Sequence, residues 1–381
     1  MWKVPLFDIS YDEKESEAAL DVIRSGWLTM STITQEFEKQ FAEFLGVKHA
    51  IAVSNGTAAL HLANLAVDIS AEDEVICPAL TFVAGANSIL YTGAIPIFSD
   101  IESKDNLCVS PKDIEKKITK RTKAIQVMHY AGFPCDMDSI TEIAEKNRLY
   151  IIEDCAHAPG TIYKEKKCGT IGDIGCFSFF SNKNLSIGEG GIVTTNSDTA
   201  AEKIRSMRSH GMTSLSWDRA RGHAFSYDVV KLGFNYRIDE IRSAIALVQL
   251  KKLSANNRKR EKFSMLYRER LSMIEGIELT FNHAVGTSVH HIFPVLLHKN
   301  INRLEFMEYL KSKRIQTSIH YPPIHQFDYY RRMFGNRSFV LPVTDDVAKR
   351  EVTLPLYPGM GENEIDYVCD MISKYLNNIR K

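Results

Sequence analysis

A chain of 381 residues, 44% hydrophobic and 25% charged, has the composition of a globular protein with enough apolar material for a sizeable core. Lysine plus arginine and aspartate plus glutamate both number 47, a balance that argues against a broad nucleic-acid face or a membrane-surface patch. The N-terminal MWKVPLFDISYDEKESE lacks the basic-then-apolar order of a secretion signal, and no apolar run reaches spanning length. Seven scattered cysteines with no C-x-x-C pair predict a reduced cytoplasmic protein, with neither a disulfide framework nor a zinc site.

Strand-like and helix-like segments alternate through the first two hundred residues. AIAVS (50–54) leads into the helical TAALHLANLAV (57–67), and EVICP (74–78) into TFVAGANSILYTG (81–93). AIPIFSD (94–100) precedes SPKDIEKKI (110–118), where Ser110, Pro111 and Asp113 make a helix start. KAIQVMHY (123–130), DMDSITEIAEKN (136–147) and LYIIED (149–154) continue the rhythm. This βαβα order predicts an α/β fold, a mostly parallel sheet between helices, with the strand carboxyl ends along one edge where ligands bind. IDEIRSAIALVQLKKL opens a long helix reaching about Arg270, and its basic stretch KKLSANNRKREK (251–262) reads as a solvated face. Beyond Asn282, HHIFPVLL, LEFMEYLKSK (304–313), IQTSIHY and the closing DYVCDMISKYLNNI read as a smaller α/β unit. The expected division is a large domain, 1–250, with segment 1–30 packing at the site, and a small C-terminal domain, 251–381.

Four features of the large domain carry chemistry. In SNGTAAL (54–60) a strand ends, Gly56 allows close approach and a helix starts at Thr57, so free N–H groups and a hydroxyl face an anion such as phosphate. A plain helix cap is the commoner reading of such a stretch, and neither a dinucleotide fingerprint nor a Walker loop is present. Asp154 closes a buried strand, where a carboxylate needs a cation, while Glu153 faces the other way. His157 follows in EDCAHA, within one turn of Asp154. Lys183 stands in FSFFSNKNLSIGEGG (177–191), between an aromatic strand and Gly188, Gly190 and Gly191, glycines that would clear space for a ligand. Singly, each residue reads as structural. Together, a phosphate cup, a strand-end acid and a lysine are the set that pyridoxal phosphate requires. A metal site built on His129, Asp154, His157 and His210 is a weaker rival, because none of these histidines share metal-motif spacing.

Ordered motifs along nearly the whole chain, among them SGWLTMS, SNGTAALHLA, PALTFVAGANSI, IEDCAHA, GTIGDIGCFSFFSNKNLSIGEGG, RSHGM, GFNYRIDEIRSAIALVQL, HYPPIH and LPLYP, resemble the DegT/DnrJ/EryC1/StrS family of sugar aminotransferases, of the aspartate-aminotransferase-like fold type I. The resemblance implies pyridoxal 5'-phosphate as cofactor, with Lys183 bonded to its aldehyde and Asp154 pairing with its ring nitrogen. It implies Phe82 stacked on the ring, and Gly56, Thr57 and Ser178 on the phosphate. Asn235 is implied to reach the phosphate from a second subunit, hence a homodimer with composite sites. His157 matches a position beside the phenolic oxygen, where histidine accompanies 4-ketosugar amination and glutamine C3 or cyclitol substrates. The implied reaction moves the amino group of L-glutamate to a nucleotide-linked keto sugar, for cell-surface polysaccharide or glycoconjugate synthesis. Arg237, His320 and His325 are candidates for the sugar nucleotide's diphosphate, or for structural pairs. A 3-ketosugar or cyclitol aminotransferase and a non-catalytic regulatory relative are the alternatives. Phe180-Ser181 departs from the histidine or tyrosine followed by alanine of many relatives and bears on the substrate.

Overall fold

The computed structural model describes residues 2–213, 226–335 and 339–379. Strands β1 (His49–Val53), β2 (Glu74–Pro78), β3 (Ile95–Ser99), β4 (Thr122–Met128), β5 (Tyr150–Asp154), β8 (Ile174–Ser178) and β9 (Gly191–Thr195) build a seven-stranded sheet in the order β1-β9-β8-β5-β4-β2-β3. A two-stranded hairpin, β6 (Ile162–Tyr163) and β7 (Lys166–Lys167), stands apart from it. All pairings from β8 to β3 are parallel, and β9 alone runs against its neighbours. The expected mostly parallel sheet is therefore present, and its parallel strands end on one edge.

Residues alternate between two cores along each strand. Ile51, Val53, Val75, Cys77, Ile152 and Cys176 join the core shared with α3 (Gly56–Ala66), α4 (Ala84–Leu90) and α7 (Asp198–Arg208). Ala50, Ala52, Ile76, Ile151 and Phe177 join the opposite core, with α2 (Thr32–Leu45), α6 (Met137–Asn147) and the long helix Glu240–Leu271. The near-continuous apolar strands are what burial on both faces demands.

The long helix is a spine. Ala246 and Leu253 belong to the large sheet's core, while Phe263, Tyr267 and Leu271 belong to the core of a second, antiparallel sheet. That sheet has the order β10 (Ile277–Leu279), β11 (Phe293–Leu297), β12 (Glu351–Leu354) and is covered by helices Arg303–Ser312 and Glu362–Asn378. Residue 250 lies inside the spine. At its start, Glu240 accepts hydrogen bonds from the N–H groups of Ser31, Ile33 and Thr34, the first turn of α2, where an anion offsets the helix dipole. The N-terminal segment is pinned twice: Val4 bridges Ile315 in the small-sheet core, and the Tyr11 hydroxyl donates to the Ser186 carbonyl at 2.9 Å.

Candidate active site

The carboxyl edge of the large sheet opens into a cavity of about 770 Å³. Strand register explains which side chains meet there. Gly191, at the start of β9, pairs with both Val53 and Ser178, so the chain just after β1 lies against the end of β8. At that point α3 begins. Asn55 caps it, accepting from the Ala58 N–H at 2.8 Å, and the N–H groups of Gly56 and Thr57 have no partner among the described residues. A Cβ on Gly56 would lie 2.7 Å from the Ser178 Cβ, so only glycine permits this approach. The result is a small cradle of two N–H groups and two hydroxyls.

One register step along, Asp154 stands between Met128 of β4 and Cys176 of β8. It is 6% exposed. One carboxylate oxygen accepts the Ala156 N–H at 3.0 Å; the other has no hydrogen-bond partner among the described residues. Burial raises its pKa, against the pull of the Ala156 N–H and the Lys183 and His129 charges. Glu153 faces the opposite core, as strand alternation predicts. It is fully buried and takes N–H groups from Gly169, Ile171 and Gly172 and the His129 ring at 2.9 Å. Burial opposes its charge, but these donors outweigh it and its pKa falls. His129 is thus committed to Glu153 and to the Cys135 N–H, away from the cavity.

Lys183 follows from the same alternation in the aromatic run. Phe177 and Phe179 are buried edge-on against Phe41 at 5.2 and 5.6 Å between centroids, while Ser178 and Phe180 face the cavity. Aromatic pairs of this kind stabilise by about 0.5–1.5 kcal/mol each beyond burial, enough to hold the strand end rigidly. A turn then closes with the Lys183 N–H on the Phe180 carbonyl at 2.9 Å. Asn184 fastens the far side, donating to Asn257 and to the Val289 carbonyl. Burial lowers the Lys183 pKa to about 8, partly offset by Asp154. Of the glycines after it, Gly188 borders open space at a φ of +84°, whereas Cβ atoms on Gly190 and Gly191 would strike Ile187 and Asn55, so those two serve backbone packing.

His157, 1% exposed, lines the cavity with its Nδ1 facing the Ala131 N–H at 3.3 Å and its Nε2 at 2.9 Å from the Tyr321 hydroxyl. Phe82 is 57% exposed and presents its ring to the cavity, 6.0 Å from the Tyr321 ring. His320 also lines the wall, although its Nδ1 is bound to Thr353 at 2.8 Å. His325 takes the structural alternative: it is absent from the cavity wall and pairs with Asp345 at 3.1 Å, tying the HYPPIH strap to the helix Pro342–Arg350. Arg237 is half-buried and absent from the cavity wall, and Asn235 is exposed, bridged to Ser209. Tyr321, Tyr236 and Asn182 line the cavity although the sequence reading assigns them no role; the Asn182 side-chain oxygen is buried and without a partner among the described residues. Tyr321 carries a sequence signal, its place inside HYPPIH, but the flanking histidines His320 and His325 are the more obvious candidates for polar chemistry.

A phosphate-sized cradle, a buried acid and a depressed lysine at the carboxyl edge of this sheet define a fold type I pyridoxal-phosphate enzyme. Residues 10–373 match the DegT/DnrJ/EryC1/StrS aminotransferase family, and the chain belongs to it. It is 34% identical to the GDP-perosamine synthase of Vibrio cholerae over 381 residues, 99% of this chain and 100% of that one. It is 37% identical to the spore coat polysaccharide biosynthesis protein SpsC of Bacillus subtilis, with 94% of each covered. Among solved structures, PseC of Helicobacter pylori, an aminotransferase involved in pseudoaminic acid biosynthesis, superposes with a TM-score of 0.90 at 30% identity, covering 99% of each chain. The protein is a pyridoxal-phosphate-dependent sugar aminotransferase. Among the described residues no helix is long and apolar enough to cross a membrane.

Proposed function

We propose that the protein transfers the amino group of L-glutamate to a keto sugar carried on a nucleotide diphosphate, most specifically a 4-keto-6-deoxy sugar. The observation that carries this reading is the convergence of Lys183, Asp154 and the Gly56–Ser178 cradle on one cavity wall. The donor sets fit the cofactor. The free N–H groups of Gly56 and Thr57 and the Thr57 and Ser178 hydroxyls suit a phosphate at a helix start. The unpartnered Asp154 oxygen suits a protonated ring nitrogen, Phe82 offers a flat exposed ring, and Lys183 offers an amine of lowered pKa. Bound there, the cofactor supplies an aldehyde that carries the amino group and a ring that accepts an electron pair. Lys183 Nζ would hold the aldehyde carbon of the bound cofactor and, when free, would be the base for the α-carbon proton of glutamate. Asp154 would keep a proton on the ring nitrogen, and its buried setting would strengthen that pairing.

A homodimer completes the reading: in it Asn235, exposed in the single chain, would reach the phosphate bound by a neighbouring copy. The 4-keto preference rests on histidine at position 157. The test is a panel of nucleotide-linked 4-keto and 3-keto sugars and scyllo-inosose with L-glutamate, read by product mass and NMR. Amination at C4 of a nucleotide sugar is the expected result; amination of the cyclitol alone overturns it. Lys183→Ala is expected to abolish turnover.

A further inference from the structure

His157 and Tyr321 share one hydrogen bond, and the partners of the histidine fix its direction. The Ala131 N–H points at His157 Nδ1 at 3.3 Å, so Nδ1 offers its lone pair and carries no hydrogen. The ring is 1% exposed, and burial together with the Lys183 and His320 charges drives its pKa well below the ordinary range, so it is neutral. A neutral imidazole with a bare Nδ1 bears its proton on Nε2. At 2.9 Å, that Nε2–H donates to the Tyr321 hydroxyl oxygen. Tyr321 cannot return its own proton to the same nitrogen. Its phenol stays protonated, because burial and the Asp154 and Glu351 charges raise its pKa. The hydroxyl has no second partner among the described residues, and it lines the cavity opposite Phe82.

The backbone leading to Tyr321 is braced on three sides. Ser318 and Thr353 exchange backbone hydrogen bonds at 3.2 and 2.8 Å, Glu351 accepts the His320 N–H at 2.8 Å, and the buried Tyr130 hydroxyl donates to the His320 carbonyl. A donor held this rigidly loses little entropy when it engages a reactant.

We propose that Tyr321 donates its hydroxyl hydrogen bond to an sp² or anionic oxygen of the bound reactants, and that His157 is a positioning residue that turns this donor toward the cavity. This rests on the aminotransferase reading of the cavity. Two oxygens have the required chemistry: the phenolate of the cofactor and the ketone oxygen of the acceptor. Tyr321→Phe removes the hydroxyl and keeps the ring. Three measurements on the full-length holoenzyme separate the cases: the pH midpoint of the bound cofactor's absorbance without substrate, and single-turnover rates of the glutamate and keto-sugar half-reactions. A shifted absorbance midpoint places the bond on the phenolate. An unshifted midpoint, with the keto-sugar half-reaction slowed by roughly 10²-fold and the glutamate half-reaction retained, places it on the ketone. If neither changes, the proposal is overturned, whereas a variant that binds no cofactor and a wild type that also binds none would instead indict the cavity reading. A second readout is independent of activity. Nitrogen-15 shifts of the His157 ring in the wild type are expected to show a neutral, Nε2-protonated tautomer between pH 6 and 8; an Nδ1-protonated ring or an imidazolium overturns the proposal.

Discussion

Lys183 is the group whose behaviour burial changes most usefully, and pH is the perturbation that reads it. An ordinary lysine amine titrates near 10.4, so at pH 7 about 1 in 2,500 is neutral and nucleophilic. With the pKa lowered to about 8, the neutral share of Lys183 at pH 7 is roughly one-tenth, a gain of about 230-fold. The assay is the rate of covalent attachment of pyridoxal phosphate to apoprotein from pH 6 to 10, followed by absorbance, with Nα-acetyl-lysine as the solution reference. The rate is expected to climb tenfold per pH unit up to about 8 and then level. The sign also follows for Asp154→Asn: the carboxylate raises the lysine pKa, so its removal moves the plateau to lower pH. A wild-type plateau near 10 refutes the reasoning, because it means that the amine is as well solvated as a surface lysine.

Gly56→Ala places a Cβ 2.7 Å from that of Ser178. Relieving such overpacking costs about 1–3 kcal/mol and spreads the cradle, so pyridoxal phosphate is expected to bind roughly 5- to 150-fold more weakly in equilibrium titration. Glu153→Ala leaves His129 and three backbone N–H groups without their buried acceptor, and the denaturant midpoint is expected to drop by an amount equivalent to about 3–5 kcal/mol.

Much of this was legible in the chain because it is local. Strand alternation alone separates Asp154 from Glu153, and the helix start after β1 announces the cradle. The parallel sheet followed from the βαβα rhythm, and the family motifs carried the cofactor. What the chain concealed lies in long-range register. Gly190 and Gly191 look like room for a ligand until β9 is seen packed against Asn55 and Ile187. His325 looks like an anion ligand until the strap folds it onto Asp345, and only the same fold brings Tyr321 to His157. Tyr11 reaching the loop after Lys183 is equally invisible to periodicity, since contacts between distant segments leave no local pattern.

The most direct test of the account is borohydride reduction of the holoenzyme followed by peptide mass mapping. The phosphopyridoxyl increment is expected on Lys183 alone, with L-glutamate added beforehand abolishing the label as the lysine is released. A label on another lysine, or none on a protein that still transaminates, would contradict the assignment of Lys183 as the amine on which the cavity is built.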